Sequence, residues 1–388
     1  MNKTAVLLAT LLITFCVGTA QIVLSFASLT PTRTIATSGT IEPVRRVVYH
    51  GIALPAHQAS IWTVYTDADY ARFASWGLNS VLYNIWWTHY WEADELNPGG
   101  YNEAWLTGLE TQVALALAHG LKPLLCSHVS FAKDGAYGWA DTTQRGPDYV
   151  NLNEQDASGS YGRDRYCNWL RMLAQRFPEC GIDPWGFPYH ASWSLLQNQP
   201  DKEITFYNVT QRAFLQAIRS VSNQTIILNP LQQGVYHVPY KLQTGQFINP
   251  NFRTHDDYSN ILYGTNTHDA AGHNGSPSYN QIASLGAEWD YDLDWMKHQM
   301  QPAVDLAKTH DVVCVENIAL IIHGGLSERP ILQSRLDWME ELLKIEQNAG
   351  ISWFHHRYEN PPGVQSPIET DGSDTAVAQL IAEYASHP

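Results

Sequence analysis

The chain is poor in positive charge: 23 Lys and Arg stand against 38 Asp and Glu, a formal net charge of −15. No basic stripe with interleaved aromatics occurs, which argues against a nucleic-acid partner. Cysteine is scarce, five in 388 residues, and no CxxC pair exists, so a zinc ribbon has no basis. Cys16 lies in an apolar segment, while Cys126 and Cys314 sit in strand-like runs and read as small core residues. Cys167 and Cys180 are the two that an oxidising compartment would allow to join. No glycine-rich nucleotide loop follows the first apolar run, where the sequence is "GIALPAHQAS". That absence argues against a doubly wound open sheet. No internal repeat is evident either.

Charge is also missing from Ala5 to Leu29. This run exceeds the usual apolar region of a signal peptide and is long enough to span a bilayer. Residues 1–30 therefore read as an uncleaved anchor or a long signal peptide. Either places the body outside the cytoplasm, secreted or held at the outer face of the membrane. Residues 31–45 contain "PTRTIATSGTIEP", a Thr/Ser/Pro-rich stretch without period, which reads as a tether. Sequons at Asn208, Asn223 and Asn274 are compatible with that compartment.

Residues 46–388 carry what the chain has in abundance. The hydrophobic fraction is 44%, enough for a sizeable core, with 14 Trp and 20 Tyr. Aromatic rings serve cores and also stack on sugar faces. Eight short apolar runs alternate with helix-like stretches: "RVVYHGIAL", "LNSVLYNIWW", "LKPLLCSHVSF", "HASWSLLQ", "QTIILNPL", "NILYGTNTH", "DVVCVENIALII" and "GISWFHHRY". Near-continuous apolar strands are what a parallel sheet covered on both faces requires. Several intervening stretches have helical period and stop at a glycine, namely Gly77, Gly120 and Gly350. Eight strand–helix units without a composition break predict a single α/β domain, a (β/α)8 TIM barrel preceded by the N-terminal apolar segment.

Barrel sites draw side chains from the C-terminal ends of strands. Reading each end gives His128 on the third, Asn198 and Gln199 on the fourth, and His268 on the sixth. The seventh gives Glu316 and the eighth gives Trp353, His355 and His356. A lone Glu after four apolar residues is costly if buried unpaired, so Glu316 is either salt-bridged or at a site mouth. A zinc site from His268, Asp269, His273, His355 and His356 is a weaker alternative. Adjacent histidines on a strand point to opposite faces, so one of the pair is expected inward and the other packed outward. No metal or cofactor is expected.

"FASWGLNSVLY", "ALAHGLKPLLCSH", "SWSLLQNQP", "NILYGTNTH" and "VVCVENI", in this order, make the chain resemble glycoside hydrolase family 5, the cellulase and mannanase type. The likeness spans roughly residues 46 to 357. It implies an oligo- or polysaccharide substrate and a retaining mechanism in which two carboxyl groups act as nucleophile and acid/base. By resemblance Glu316 is the nucleophile, and His128, Asn198 and His268 line the sugar site. Trp353 matches the stacking aromatic of the eighth strand. Trp87, with Trp86, Trp91 and Trp139, suggests subsites for a glycan chain.

Three positions depart from the family pattern. Gln199 stands where the acid/base Glu belongs, Leu82 where an Arg is usual, and Ala270 where a Tyr commonly follows the sixth-strand His. An amide has no titrating proton to donate at neutral pH. Three readings stay open: an altered proton donor, among Glu92, Asp201, Glu203 and Asp269; a non-catalytic barrel that binds glycan; or an acid/base Glu-to-Gln replacement made to trap substrate.

Overall fold

In the computed structural model the chain divides into two units, Met1–Arg45 and Arg46–Pro388. The structure describes residues 48–55, 65–87, 101–129, 161–184, 206–228, 254–265, 293–317, 333–356, 358, 367–368 and 372–386. The expected apolar segment and tether lie outside these residues. Among the described residues no helix is long and apolar enough to cross a membrane.

Eight strands close into a parallel barrel in chain order: β1 His50–Pro55, β2 Ser80–Trp87, β3 Lys122–Val129, β4 Gly181–Asp183, β5 Ile226–Leu228, β6 Ile261–Thr265, β7 Asp311–Asn317 and β8 Ser352–His356. The ring is completed by β8 pairing with β1, His50 opposite Trp353 and Ala53 opposite His356. Around it run helices α1 Asp67–Ser75, α2 Glu103–Ala118, α3 Tyr161–Arg176, α4 Arg212–Arg219, α5 Leu293–Ala307, α6 Gln333–Ala349 and α7 Ala376–Ala385. This is the (β/α)8 architecture.

The continuous apolar runs are explained by two cores. One set of alternate positions, Ala53, Leu82, Leu124, Cys126, Ile227, Leu262, Val313 and Phe354, packs inside the barrel. The other set, including Ile52, Val81, Tyr83, Leu125, Ile182, Cys314 and Trp353, packs between strands and helices. Side chains of a strand alternate in direction, so a strand covered on both faces carries apolar residues at every position. Gly51 leaves room in the interior for Phe354, whose ring atom Cε1 lies 2.3 Å from where a Cβ would stand.

Local signals set the helix ends. At the start of α1 the Asp69 carboxylate accepts from the Thr66 N–H (2.8 Å) and from its hydroxyl (2.9 Å). The Asn102 side chain caps α2 by accepting from Trp105 N–H at 3.1 Å. At the other ends, Gly120 and Gly350 take φ of 73° and 66°, the left-handed conformation that a side chain disfavours.

The fourth strand is not where the apolar pattern put it. The run 190–197 falls outside the described residues, and the fourth place in the barrel belongs to Gly181–Asp183. Three residues are too short to show a periodic signal. Pairing with β3 on one side and β5 on the other makes them a strand, a tertiary effect that overrides local pattern. Cys167 and Cys180 are both buried free thiols and do not form the disulfide that an oxidising compartment would permit. Burial pushes the Cys180 thiol pKa up, and the Cys167 thiol points to the Ala213 carbonyl at 3.7 Å.

Candidate functional site

A closed parallel barrel brings the C-terminal ends of all eight strands to one face. Three of the sequence-predicted residues lie there by backbone position: Trp87 ends β2, His128 is the penultimate residue of β3, and Glu316 is the penultimate residue of β7. In the β2–β3 register Trp86 is opposite His128, and Trp87 opposite Val129. Gln199, Asn198, His268, Asp269 and Ala270 lie outside the described residues, as do Glu92, Asp201 and Glu203.

Glu316 sits at an irregularity. Cys314 pairs with Trp353, but Asn317 pairs with His355. Val315 and Glu316 together therefore stand opposite Phe354 alone, a β-bulge. Bulges re-aim a strand and recur beside active sites. Phe354 itself belongs to the interior core and is fully buried.

Trp353 is a correction. It is 1% exposed and packs in the layer between strands and helices, not at the mouth. Its ring stacks on His50, centroids 5.2 Å apart and 17° between planes. Its N–H donates to the Tyr49 carbonyl at 2.8 Å, at the start of β1 and hence the opposite end of the barrel. Phe354, the next residue, is the one on the interior face. His355 is also fully buried, and its register partner Ile52 belongs to the outer layer. His356 takes the position opposite the interior residue Ala53. The two histidines thus occupy opposite alternation classes. Among the described residues no group of three or more His, Cys, Asp or Glu is arranged to hold a metal ion.

Sequence reasoning missed a polar row inside the barrel. Asn84 pairs with Cys126, and Cys126 with Asp183. They are 5%, 3% and 0% exposed. The Cys126 thiol lies 3.5 Å from Asp183 Oδ2 and is placed to donate to it. The available signal was "GIDP": a residue before proline is biased to extended backbone, which marks a strand ending at Asp183.

Helix α3 holds this end of the barrel. The Tyr166 hydroxyl is within donating distance of Ser127 O (3.0 Å), Ser127 Oγ (3.1 Å) and the Pro184 carbonyl. Trp169 Nε1–H donates to Ser127 Oγ at 3.0 Å. Burial raises the Tyr166 pKa well above its ordinary value, which keeps the hydroxyl a donor. One helix therefore ties together the ends of β3 and β4. A groove of about 390 Å³ lined by Asp164, Asn168, Arg171 and Gln216 lies between α3 and α4, outside the barrel. Its place on the flank separates it from the strand-end face.

No protein-family model matches the chain, and no curated protein matches it. Solved structures do. Endoglucanase Cel5A from Thermotoga maritima, in complex with cellobiose, is 14% identical with a TM-score of 0.58 over 87% of this chain and 97% of that one. Endo-glycoceramidase II from Rhodococcus sp., as a lactosyl-enzyme intermediate, is 17% identical with a TM-score of 0.58 over 87% and 78%. The same Cel5A with mannotriose gives 14% and 0.59 over 86% and 97%. At these identities the likeness is one of fold: the chain is built on the (β/α)8 barrel that these cellulase and endo-glycoceramidase structures share.

Proposed function

We propose that the protein is a glycosidase acting on β-linked glycans at the C-terminal mouth of its barrel, with Glu316 as the nucleophile of a retaining reaction. The observation that carries this is the place of Glu316: a carboxyl residue at the end of β7, within a bulge opposite Phe354. Support comes from the fold neighbours, one of which is a lactosyl-enzyme intermediate and two of which hold cellobiose or mannotriose. The Glu316 carboxylate attacks the anomeric carbon as the bond to the aglycone breaks, the aglycone leaving as its anion and taking a proton from solvent; water then hydrolyses the glycosyl-enzyme ester, losing its proton to solvent and freeing Glu316. His128 and Trp87 line the sugar, joined by Asn198 and His268. The N-terminal segment delivers the domain outside the cytoplasm.

The test is covalent capture. An activated 2-deoxy-2-fluoro β-glycoside should label the full chain at Glu316, as read by peptide mass spectrometry, and dinitrophenyl β-cellobioside should be turned over. Glu316→Ala should abolish labelling and lower turnover by at least about 10³-fold, the scale set by removing a member of a catalytic constellation. Turnover that survives this substitution sinks the assignment.

A second reading, a glycan-binding barrel without turnover, is favoured by one observation. Leu82 is fully buried in the interior core, opposite Ala53 and Leu124, at the position where the resemblance calls for Arg. Binding of cello-oligosaccharides without labelling or turnover would select it. Under the glycosidase reading, the Gln199 that the resemblance puts in the acid's place, although β4 ends at Asp183, predicts fast release of activated leaving groups and slow release of poor ones.

A further inference from the structure

Two of the three sequons fall on described residues, one at each end of helix α4. Asn208, Val209 and Thr210 lie in the π-helical turn Phe206–Gln211 that leads into α4. Asn223, Gln224 and Thr225 lie in the connection from α4 to β5, which begins at Ile226. Asn274 lies outside the described residues. A three-residue motif arises readily by chance, so what the fold does with each asparagine decides its meaning.

The turn before α4 faces both ways. Asn208 and Val209 are exposed, whereas Thr210 and Gln211 are fully buried. Gln211 is held from the far side, its Oε1 3.1 Å from His255 Nε2. The turn after α4 is fixed by three bonds. Asn260 Nδ2 donates to the Asn223 carbonyl at 2.9 Å, Gln224 N–H donates to Ser222 Oγ at 3.1 Å, and Arg219 Nη1 donates to the Gln224 carbonyl at 2.7 Å. None of them uses the Asn223 side-chain amide, and Asn223 is exposed. This turn precedes β5, so it lies at the N-terminal end of the barrel, opposite the strand-end mouth. Each asparagine also has an exposed valine within two positions, Val209 and Val221. Among the described residues Leu117 is the one other large apolar side chain that is exposed. An attached oligosaccharide is bulky and solubilising, and it would cover both valines.

We propose that Asn208 and Asn223 are N-glycosylation sites, modified from a lipid-diphosphate-linked oligosaccharide. This rests on the reading that the N-terminal segment delivers the domain outside the cytoplasm. In the transfer, the asparagine side-chain nitrogen bonds to the anomeric carbon of the donor. The bond from that carbon to the diphosphate oxygen breaks, the lipid diphosphate leaves with the electron pair, and the amide gives up one proton to solvent. The acceptor motif needs the threonine as well as the asparagine. Folding buries Thr210, so Asn208 is modified before α4 packs, and the folded protein is no acceptor there.

The experiment expresses the full chain, with its own N-terminal segment, in a yeast secretory host. A C-terminal peptide carrying an Asn-Gly-Thr control reports entry into the compartment. Peptide N-glycosidase in heavy-oxygen water turns each glycosylated asparagine into a labelled aspartate, which peptide mass spectrometry reads. Label is expected at Asn208, at Asn223 and at the control. Asn208→Gln and Asn223→Gln should each remove one glycosidase-sensitive step in electrophoretic mobility. A labelled control with Asn208 and Asn223 unlabelled overturns the proposal and leaves the reading of location standing. Label at only one of the two overturns the assignment of the other. An unlabelled control means that the chain did not enter the compartment, and the reading of location falls and takes the proposal with it. Unglycosylated protein, folded first and then given microsomal transferase and donor, should be modified at the control and not at Asn208. Modification of Asn208 in that folded protein overturns the order of events.

Discussion

The indole of Trp353 is enclosed by His50, by the strand partners Cys314 and His50 in register, and by the outer helical layer. Removing it deletes a large fully buried side chain that its neighbours can only partly collapse to fill. Trp353→Ala should therefore cost about 3–5 kcal/mol of stability. Urea denaturation measures that loss, and titration with cello-oligosaccharide on the folded variant should show unchanged affinity. Weakened sugar binding at intact stability would return Trp353 to the site. In "GISWFHHRY" both aromatics are plausible at a strand end, and sequence alone does not say which face is inside. The register against β1 decides, since Gly51 opposite Phe354 leaves the interior room that a ring needs. The place of Glu316 at the end of β7 was legible for the opposite reason: a carboxyl after a run of apolar residues stands out whatever the face. Asp183 was hidden by its neighbours, because "GID" is too short to carry a period.

At the scale of elements, glycine positions separate two kinds of constraint. Gly350 ends α6 at φ 66° with no atom within 4 Å of a would-be Cβ. Gly350→Ala should cost about 1–2 kcal/mol, all of it backbone strain in the left-handed region. Gly51 has no such φ constraint but faces the Phe354 ring at 2.3 Å. Gly51→Ala must displace that ring from the interior and should cost more, through overpacking. Paired urea midpoints test the order, and equal losses would refute this division. The helix stops at Gly77, Gly120 and Gly350 were readable because a terminating glycine acts locally, and all three have positive φ. The bulge in β7 was not readable, because it exists only relative to β8. The same holds for β4, which is a strand by virtue of its two neighbours.

For the whole molecule, buried histidines tie stability to pH. Burial lowers the pKa of His50, a shift opposed by a hydrogen bond to the Ala385 backbone. Burial and the Arg212 charge lower that of His255, opposed by Asp257 and Asp256, and its Nε2 lies 3.1 Å from Gln211 Oε1. Both groups take up a proton more readily in the unfolded chain, where the ordinary value is about 6.5. Above that value neither state binds the proton and the full stability is present. As pH falls below it, the unfolded chain gains protons that the folded protein resists, so unfolding becomes easier until the lowered folded pKa is reached. The acidic surface does not produce this window, because exposed carboxylates paired with cations, such as Asp257 with Arg212, have pKa values below their ordinary value of 3.8 and titrate at lower pH. The expected outcome is a falling urea midpoint between pH 7 and pH 5. The slope should become shallower in His255→Gln and in His50→Gln, and shallower still when both are combined, since His50 stacks on Trp353 of β8 and His255 meets Tyr263 of β6. A slope unchanged in the double variant would assign the acid sensitivity to other groups, and a midpoint flat over this range in wild type would refute the linkage itself.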